Sequence, residues 1–317
     1  MKVAVRVPNW LGDIAFNLPM VRALSHKYYV TIITKTPFRE LFHGLETITF
    51  SSNNELYRIH VSLKGTFDYY IVTPISFSSA FAAFLTASKV RVGFSFDFRD
   101  FLLTKRIRIP EDWKKRHTTE TYFLLYQDLI SEKEIKFNIE IPEEYKATGE
   151  NTLKSLGLIT RRYVSCAPFA QFGNAKEWHT PYFIELANLL KQHDVKLVIL
   201  GSKDDFTRSL KLEHENIVNL TGKTSLWDAI YITKNSIAFI GNDSGLTHMA
   251  ALAGSNTIAI FGPTPPSWTR PLGPSVQVIK KDLPCAPCEM RQCPLKTKEC
   301  MKLIKPEDVF ELLRQFL

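Results

Sequence analysis

Apolar and polar positions alternate between two periods along this 317-residue chain, and the alternation occurs twice. Residues 2–7 form a β-branched run of strand type, followed by 13–26, where Phe16, Met20, Val21 and Leu24 recur at helical spacing. Strand-like segments follow at 29–34, 46–50 and 67–73. A second series opens with a strand at 163–167 and a helix at 181–192, then a strand at 195–200 and helices at 204–213 and 226–233. It continues with a strand at 237–240, a helix at 246–253 and a strand at 257–261; Pro306 opens a final helix over 307–317. Between the two series, 130–145 is charged and lacks a clear period. That stretch predicts a linker with a strand-like piece at 136–141, punctuated by Pro142 and Gly149.

Strands separated by helices predict parallel sheets with crossover connections. The fold class is therefore α/β, with two doubly wound halves and no sequence repeat relating them. The length suits two such domains. The expected boundaries are 1–155 and 156–305, with 306–317 a closing helix that packs back on the first domain. Ligands of such sheets bind outside the carboxyl ends of the strands, and two halves leave a cleft. The loops just after strands are thus where chemistry is expected.

Composition narrows the class. Apolar residues make up 45% and charged residues 23%, which is globular. Residues 69–88 carry no charge, but Pro74 and many Ser and Thr suit a buried strand, a turn and a helix over 77–87 better than a membrane span. The chain enters its first strand at once, without a signal-peptide pattern, so a cytoplasmic location is expected. The net charge of +8 is uneven: residues 89–117 carry a net +5 and residues 280–305 a net +4. Such patches suit an anionic partner such as a phosphorylated lipid headgroup or nucleic acid, or else a solvated surface.

Five loops offer candidate chemistry. Pro8-Asn9-Trp10-Leu11-Gly12-Asp13 follows the first strand and presents one carboxylate, Asp13. It can accept a proton from a hydroxyl, or serve only the first helical turn. Residues 168–178 form a small-residue loop ending in Lys176-Glu177-Trp178, whose amides and cation suit a diphosphate. Asp204 ends another strand, where an acid can hold ribose hydroxyls or cap a helix. Asn242-Asp243-Ser244-Gly245-Leu246-Thr247-His248 joins a strand to a helix whose free N–H groups face an anion. Phe261-Gly262-Pro263-Thr264 adds a further tight turn. Together these loops outline one nucleotide-diphosphate site. No three-glycine fingerprint follows either half's first strand, which disfavours a dinucleotide oxidoreductase.

Cys285, Cys288, Cys293 and Cys300 fall within sixteen residues. They offer a structural zinc set or reduced thiols, and in either case a structural role. A nucleic-acid module built on them and the basic patches would leave the strand-end loops unexplained.

The motif from Asn242 to His248, with Phe261-Gly262-Pro263-Thr264, resembles glycosyltransferase family nine, the lipopolysaccharide heptosyltransferases. Asn9 to Asp13, the segment from Phe172 to Lys176 and His117-Thr118-Thr119-Glu120-Thr121-Tyr122 resemble it too, in order along the chain. The resemblance implies a GT-B arrangement of two Rossmann-like domains and an inverting, metal-independent transfer from ADP-heptose with no cofactor. It implies Asp13 as catalytic base and Lys176, Asp204, Asp243, Ser244, Gly245, Thr247 and His248 at the donor. Arg91, Arg99, Arg106 and His117 would face a phosphorylated lipid A-core acceptor at the cytoplasmic face of the inner membrane. The implied protein is a monomer that binds no nucleic acid and has no transmembrane segment. The cysteine segment is similar to that of family members adding the second inner-core heptose. The alternatives are the first-heptose step or another nucleotide-sugar.

Overall fold

The computed structural model describes residues 1–96 and 98–317. The chain divides into two compact units, Met1–Lys136 and Phe137–Leu317. The first holds β1 (Lys2–Arg6), α1 (Leu11–Ser25), β2 (Tyr29–Lys35), β3 (Glu46–Phe50), α2 (Asn53–Ser62) and β4 (Tyr69–Val72). It continues with α3 (Phe77–Leu85), β5 (Val90–Phe94), β6 (Lys105–Ile107) and α4 (Thr118–Phe123). The second holds α5 (Glu143–Ser155), β7 (Tyr163–Ala167), α6 (Pro181–Lys191), β8 (Lys196–Ile199), α7 (Phe206–Ser209), β9 (Ile217–Asn219) and α8 (Leu226–Asn235). After these come β10 (Phe239–Asn242), α9 (Gly245–Leu252), β11 (Thr257–Ile260), α10 (Pro266–Thr269), β12 (Val276–Ile279), α11 (Glu299–Lys302) and α12 (Pro306–Arg314).

Each unit contains one six-stranded sheet, ordered β3-β2-β1-β4-β5-β6 in the first and β12-β11-β10-β7-β8-β9 in the second. Every strand pairing is parallel. Counted from each unit's own start, both sheets have the order 3-2-1-4-5-6. The repeat absent from the sequence is therefore present in the topology. The strand order reverses between β1 and β4, and again between β7 and β10, and a doubly wound sheet opens its ligand crevice at such a reversal. Central strands β4, β7, β10 and β11 are buried along their whole length, as expected for parallel sheets covered on both faces.

Three sequence expectations change. Residues 136–141 form no strand. The segment before β7 is instead the helix α5, which packs on α8, and Gly149 is a point of close approach within it, not a break. A Cβ there would collide with the Tyr231 ring. The division between units accordingly falls at 136/137, not 155/156. The closing helix α12 buries Val309 and Leu313 in the second unit's core beside Phe183, Leu186 and Leu190 of α6. Edge strands β6, β9 and β12 are three or four residues long, too short for periodicity to mark. No helix among the described residues is long and apolar enough to cross a membrane; the uncharged stretch 69–88 is β4 followed by α3.

A buried polar cluster sits under the first sheet. His60 has no exposed surface, and its Nδ1–H donates to the Leu56 carbonyl at 2.6 Å. Nε2 therefore accepts from the Tyr70 hydroxyl, 2.7 Å away. Arg6, also buried, lies over the Phe50 ring at 4.6 Å and donates to the Val7 carbonyl and to Asn9 Oδ1 (2.6 Å). Burial, with a smaller contribution from Arg6, lowers the His60 pKa from 6.5 to about 4. The folded pKa is depressed, so the unfolded chain binds the proton more readily. This stabilisation is fully present above pH 6.5 and is lost as the pH falls through about 4. At about 1.4 kcal/mol per unit it amounts to roughly 3 kcal/mol. Urea unfolding should show stability dropping between pH 6.5 and 4, and the drop should shrink in His60→Gln; an unchanged drop would locate the acid sensitivity elsewhere.

Candidate functional site

The first unit builds its site at the start of α1. Asp13 lies in the first turn of this helix, and no side chain caps that turn. Its Oδ1 accepts from the Tyr122 hydroxyl at 3.3 Å. Burial pushes the Tyr122 phenol well above its ordinary value, and the nearby Asp13 charge adds to this. Tyr122 therefore remains a neutral donor that orients the carboxylate. Three residues past the end of α4, the Tyr126 hydroxyl donates to Asn17 Oδ1 at 3.1 Å, so α1 is tied both to α4 and to the turn that follows it. His117 caps α4: its Nδ1 accepts from the Thr119 amide at 3.2 Å, and the ring packs edge-on to Phe16 at 5.4 Å.

Of the residues expected to face the acceptor, His117 is thus a buried cap that holds α4, and with it Tyr122, in place. Arg99 is fully buried, and its guanidinium donates to the carbonyls of Phe94 (3.0 Å), Pro74 (2.5 Å) and Ser76 (3.1 Å). Arg91 donates to the Leu102 and Ser88 carbonyls at 2.9 and 2.6 Å. Both arginines pin the loops after β4 and β5, work that a run of basic residues in sequence does not reveal. Arg106 alone of this set is exposed with no carboxylate partner among the described residues.

The second unit builds its site where β7 and β10 adjoin. Asn242, buried at the end of β10, accepts from the Trp178 amide at 2.9 Å and donates to the Pro168 carbonyl at 2.8 Å. This one side chain clamps the loop 168–178 to the turn that starts α9. Beyond it lies a charged cluster. The buried Asp243 carboxylate pairs with Lys176 through Oδ2, and His248 Nε2 stands 3.4 Å from Oδ1. Burial would raise the Asp243 pKa, but the His248 hydrogen bond and the Lys176 charge overcome it and hold the group at about 2. Lys176 also lies over the Phe172 ring at 4.8 Å. No side chain caps α9, whereas α2, α3 and α8 are capped by Ser52, Ser76 and Ser225. The first amides of α9, beside Ser244 and Gly245, therefore keep their capacity for an anion.

Two donor-side expectations change. Thr247 is buried, and its hydroxyl donates to the Asn242 carbonyl at 2.6 Å; it shapes the turn. Asp204 is exposed, and the capping is done by its neighbour Asp205, which accepts from the Ser202 amide and hydroxyl at 3.1 and 2.6 Å. Arg208 joins Asp205 (3.6 Å) to the buried Glu177 (2.5 Å) and covers the Phe169 ring at 4.4 Å. Glu177 in turn accepts from the Ala170 amide at 3.1 Å, so the loop carrying Lys176 is braced from the β8 side. Trp178 is a core anchor, with Nε1 donating to the Ile304 carbonyl at 2.8 Å.

The cysteine segment straps the same loops from the other side. The Arg291 carbonyl accepts from the Ala175 amide at 3.2 Å, and the Glu289 amide donates to the Pro263 carbonyl at 2.7 Å. A Cβ on Gly262 would lie 2.9 Å from Cys300 Sγ. The Arg291 guanidinium lies 5.0 Å from the Phe172 ring that Lys176 also faces. All five cysteines are unpaired thiols. Among the described residues no group of three or more His, Cys, Asp or Glu could hold a metal ion.

The chain is similar to known proteins in sequence and in fold. The chain is 26% identical to lipooligosaccharide heptosyltransferase 2 of Campylobacter jejuni serotype O:6 over 332 aligned residues, covering 99% of each. It is 27% identical to lipopolysaccharide heptosyltransferase 2 of Escherichia coli over 308, covering 88% of each. The structure of E. coli ADP-heptose LPS heptosyltransferase II superposes with a TM-score of 0.83 at 24% identity, over 100% of this chain and 98% of that one. The profile of Glycosyltransferase family 9 (heptosyltransferase) matches residues 56–299, and the chain belongs to that family.

Proposed function

We propose that this glycosyltransferase moves L-glycero-D-manno-heptose from ADP-heptose to a lipid A-core acceptor already carrying one inner-core heptose, with inversion and without a metal ion. The observation that carries the reading is the Lys176–Asp243–His248 cluster beside the uncapped start of α9, a set of donors and a dipole end suited to a diphosphate. The relatives named for the second heptose step, aligned over nearly the whole chain, support the acceptor. It acts as a monomer, peripherally, at the cytoplasmic face of the inner membrane.

In this mechanism the acceptor hydroxyl attacks the anomeric carbon in a single displacement. Asp13, oriented by Tyr122, accepts the hydroxyl proton as the new glycosidic bond forms. The bond from the anomeric carbon to the diphosphate oxygen breaks, and ADP leaves with the electron pair. Lys176 and the α9 amides at Ser244 and Gly245 offset the charge that builds on the leaving diphosphate. They supply the stabilisation that a divalent cation supplies in other transferases.

ADP release from ADP-heptose, followed in EDTA, should require the acceptor that carries one core heptose. Release only with the heptose-free acceptor would assign the first-heptose step instead, and no release with either would remove heptosyl transfer. Asp13→Asn should keep ADP binding and lose roughly 10²–10⁴-fold in turnover; near-normal turnover would take Asp13 out of the base role.

A further inference from the structure

The geometry points to a bilayer-docking face on the first unit, formed by Phe77, Phe96, Phe98 and Phe101 beside exposed arginines, and fitted to the headgroup–acyl boundary of an anionic phospholipid membrane. The inference rests on the proposed function for which surface is meant, the bilayer that carries the acceptor.

The apolar part comes from two neighbouring loops and one helix. Along α3, Phe77, Phe81 and Phe84 recur at helical spacing, yet the helix buries its alanines, Ala80, Ala82 and Ala83, and leaves Phe77 and Phe84 outward. Phe81 stacks on Phe77 at 6.2 Å, and Phe101 meets Phe77 at 6.3 Å. Phe96, Phe98 and Phe101 are 52%, 95% and 71% exposed, and with Arg106 they line an open hollow of about 580 Å³. Ser95 and Asp100 complete its wall, hydrogen-bonded to each other. Single exposed phenylalanines are ordinary; Phe77 against Phe101, with Phe96 and Phe98 on the same hollow, mark a contact surface.

Charge selects the partner. Arg106 and Arg108, at β6 beside the patch, are exposed and pair with no carboxylate among the described residues. They lie in the stretch 89–117, whose net charge is +5. Aromatic rings that enter the headgroup boundary, beside cations that meet anionic lipid, are the two components of a peripheral membrane contact. A protein partner would need no such separation of rings and cations. The placement also suits the chemistry. The strands are parallel, so the loops after β4 and β5 lie along the carboxyl edge of the sheet. That edge also carries the loop after β1, with Asp13. Docking there would hold a lipid-borne hydroxyl on the side of the unit where the proposed base stands.

The test is co-flotation of the full chain with vesicles of phosphatidylethanolamine and phosphatidylglycerol, and with phosphatidylcholine vesicles as the uncharged control. The expected result is binding to the anionic vesicles and little to the control. Phe98→Ser/Phe101→Ser should weaken it by roughly tenfold or more, and Arg108→Ser by about fivefold. ADP affinity should stay unchanged in both variants and serves as the check on folding. Absence of binding to anionic vesicles, or equal binding by the double variant, would overturn the inference. So would a self-associated form that the double variant abolishes without any vesicle binding, since the face would then belong to a second copy. The vesicles contain no acceptor, so failure here leaves heptosyl transfer standing. A chain that docks but releases no ADP would remove heptosyl transfer and keep the docking face.

Discussion

The buried ion pair between Asp243 and Lys176 joins the two loops that make the second unit's site. A carboxylate taken out of water is costly unless cations and donors surround it. Here Lys176 arrives from the loop after β7 and His248 from the first turn of α9, so the loop, the turn and the helix start must assemble together. The parallel order of the sheet brings β7 beside β10 and so makes the meeting geometrically available. Asn242 completes it by bonding backbone on both sides of the junction.

Around this pair, the structure spends many polar side chains on holding loops still. Glu177 and Arg208 brace the Lys176 loop from the β8 side, and the cysteine segment braces it through the Arg291 carbonyl. In the first unit, Arg91, Arg99 and His117 do similar work, pinning strand-end loops and the start of α4. Among these braced loops stand Asp13 with its Tyr122 donor, the Lys176 cluster and the uncapped start of α9. A transferase gains from such rigidity because donors aimed in advance need not reorganise as charge develops.

The central strands and the main site loops were legible because their signals are local. A β-branched run followed by a small polar turn and a helical period marks β1–α1 and β10–α9 in the chain itself; Asp13 and Asp243 follow from their places in those turns, and Lys176 from the small-residue loop after β7. What was not legible depends on tertiary context. Arg99 and Arg106 look alike in a basic stretch, yet one is buried among carbonyls and the other faces solvent. Gly149 looked like a break because its reason, the Tyr231 ring, lies on another helix. Tyr122 was visible within a family-like motif, but its bond to Asp13 spans 109 positions and has no sequence signature. Asn242 stood in the quoted motif as well, and only the packing shows it to be the clamp.

The most direct measurement is calorimetric titration of ADP, and separately of adenosine, into the wild-type chain and Lys176→Met. If the Lys176 cluster and the α9 start hold the diphosphate, the variant should bind ADP at least roughly tenfold more weakly, the loss of one charge-assisted contact. Adenosine, which has no phosphates, should bind both chains equally. Equal ADP affinity in the two chains would contradict the assignment of the diphosphate to this site.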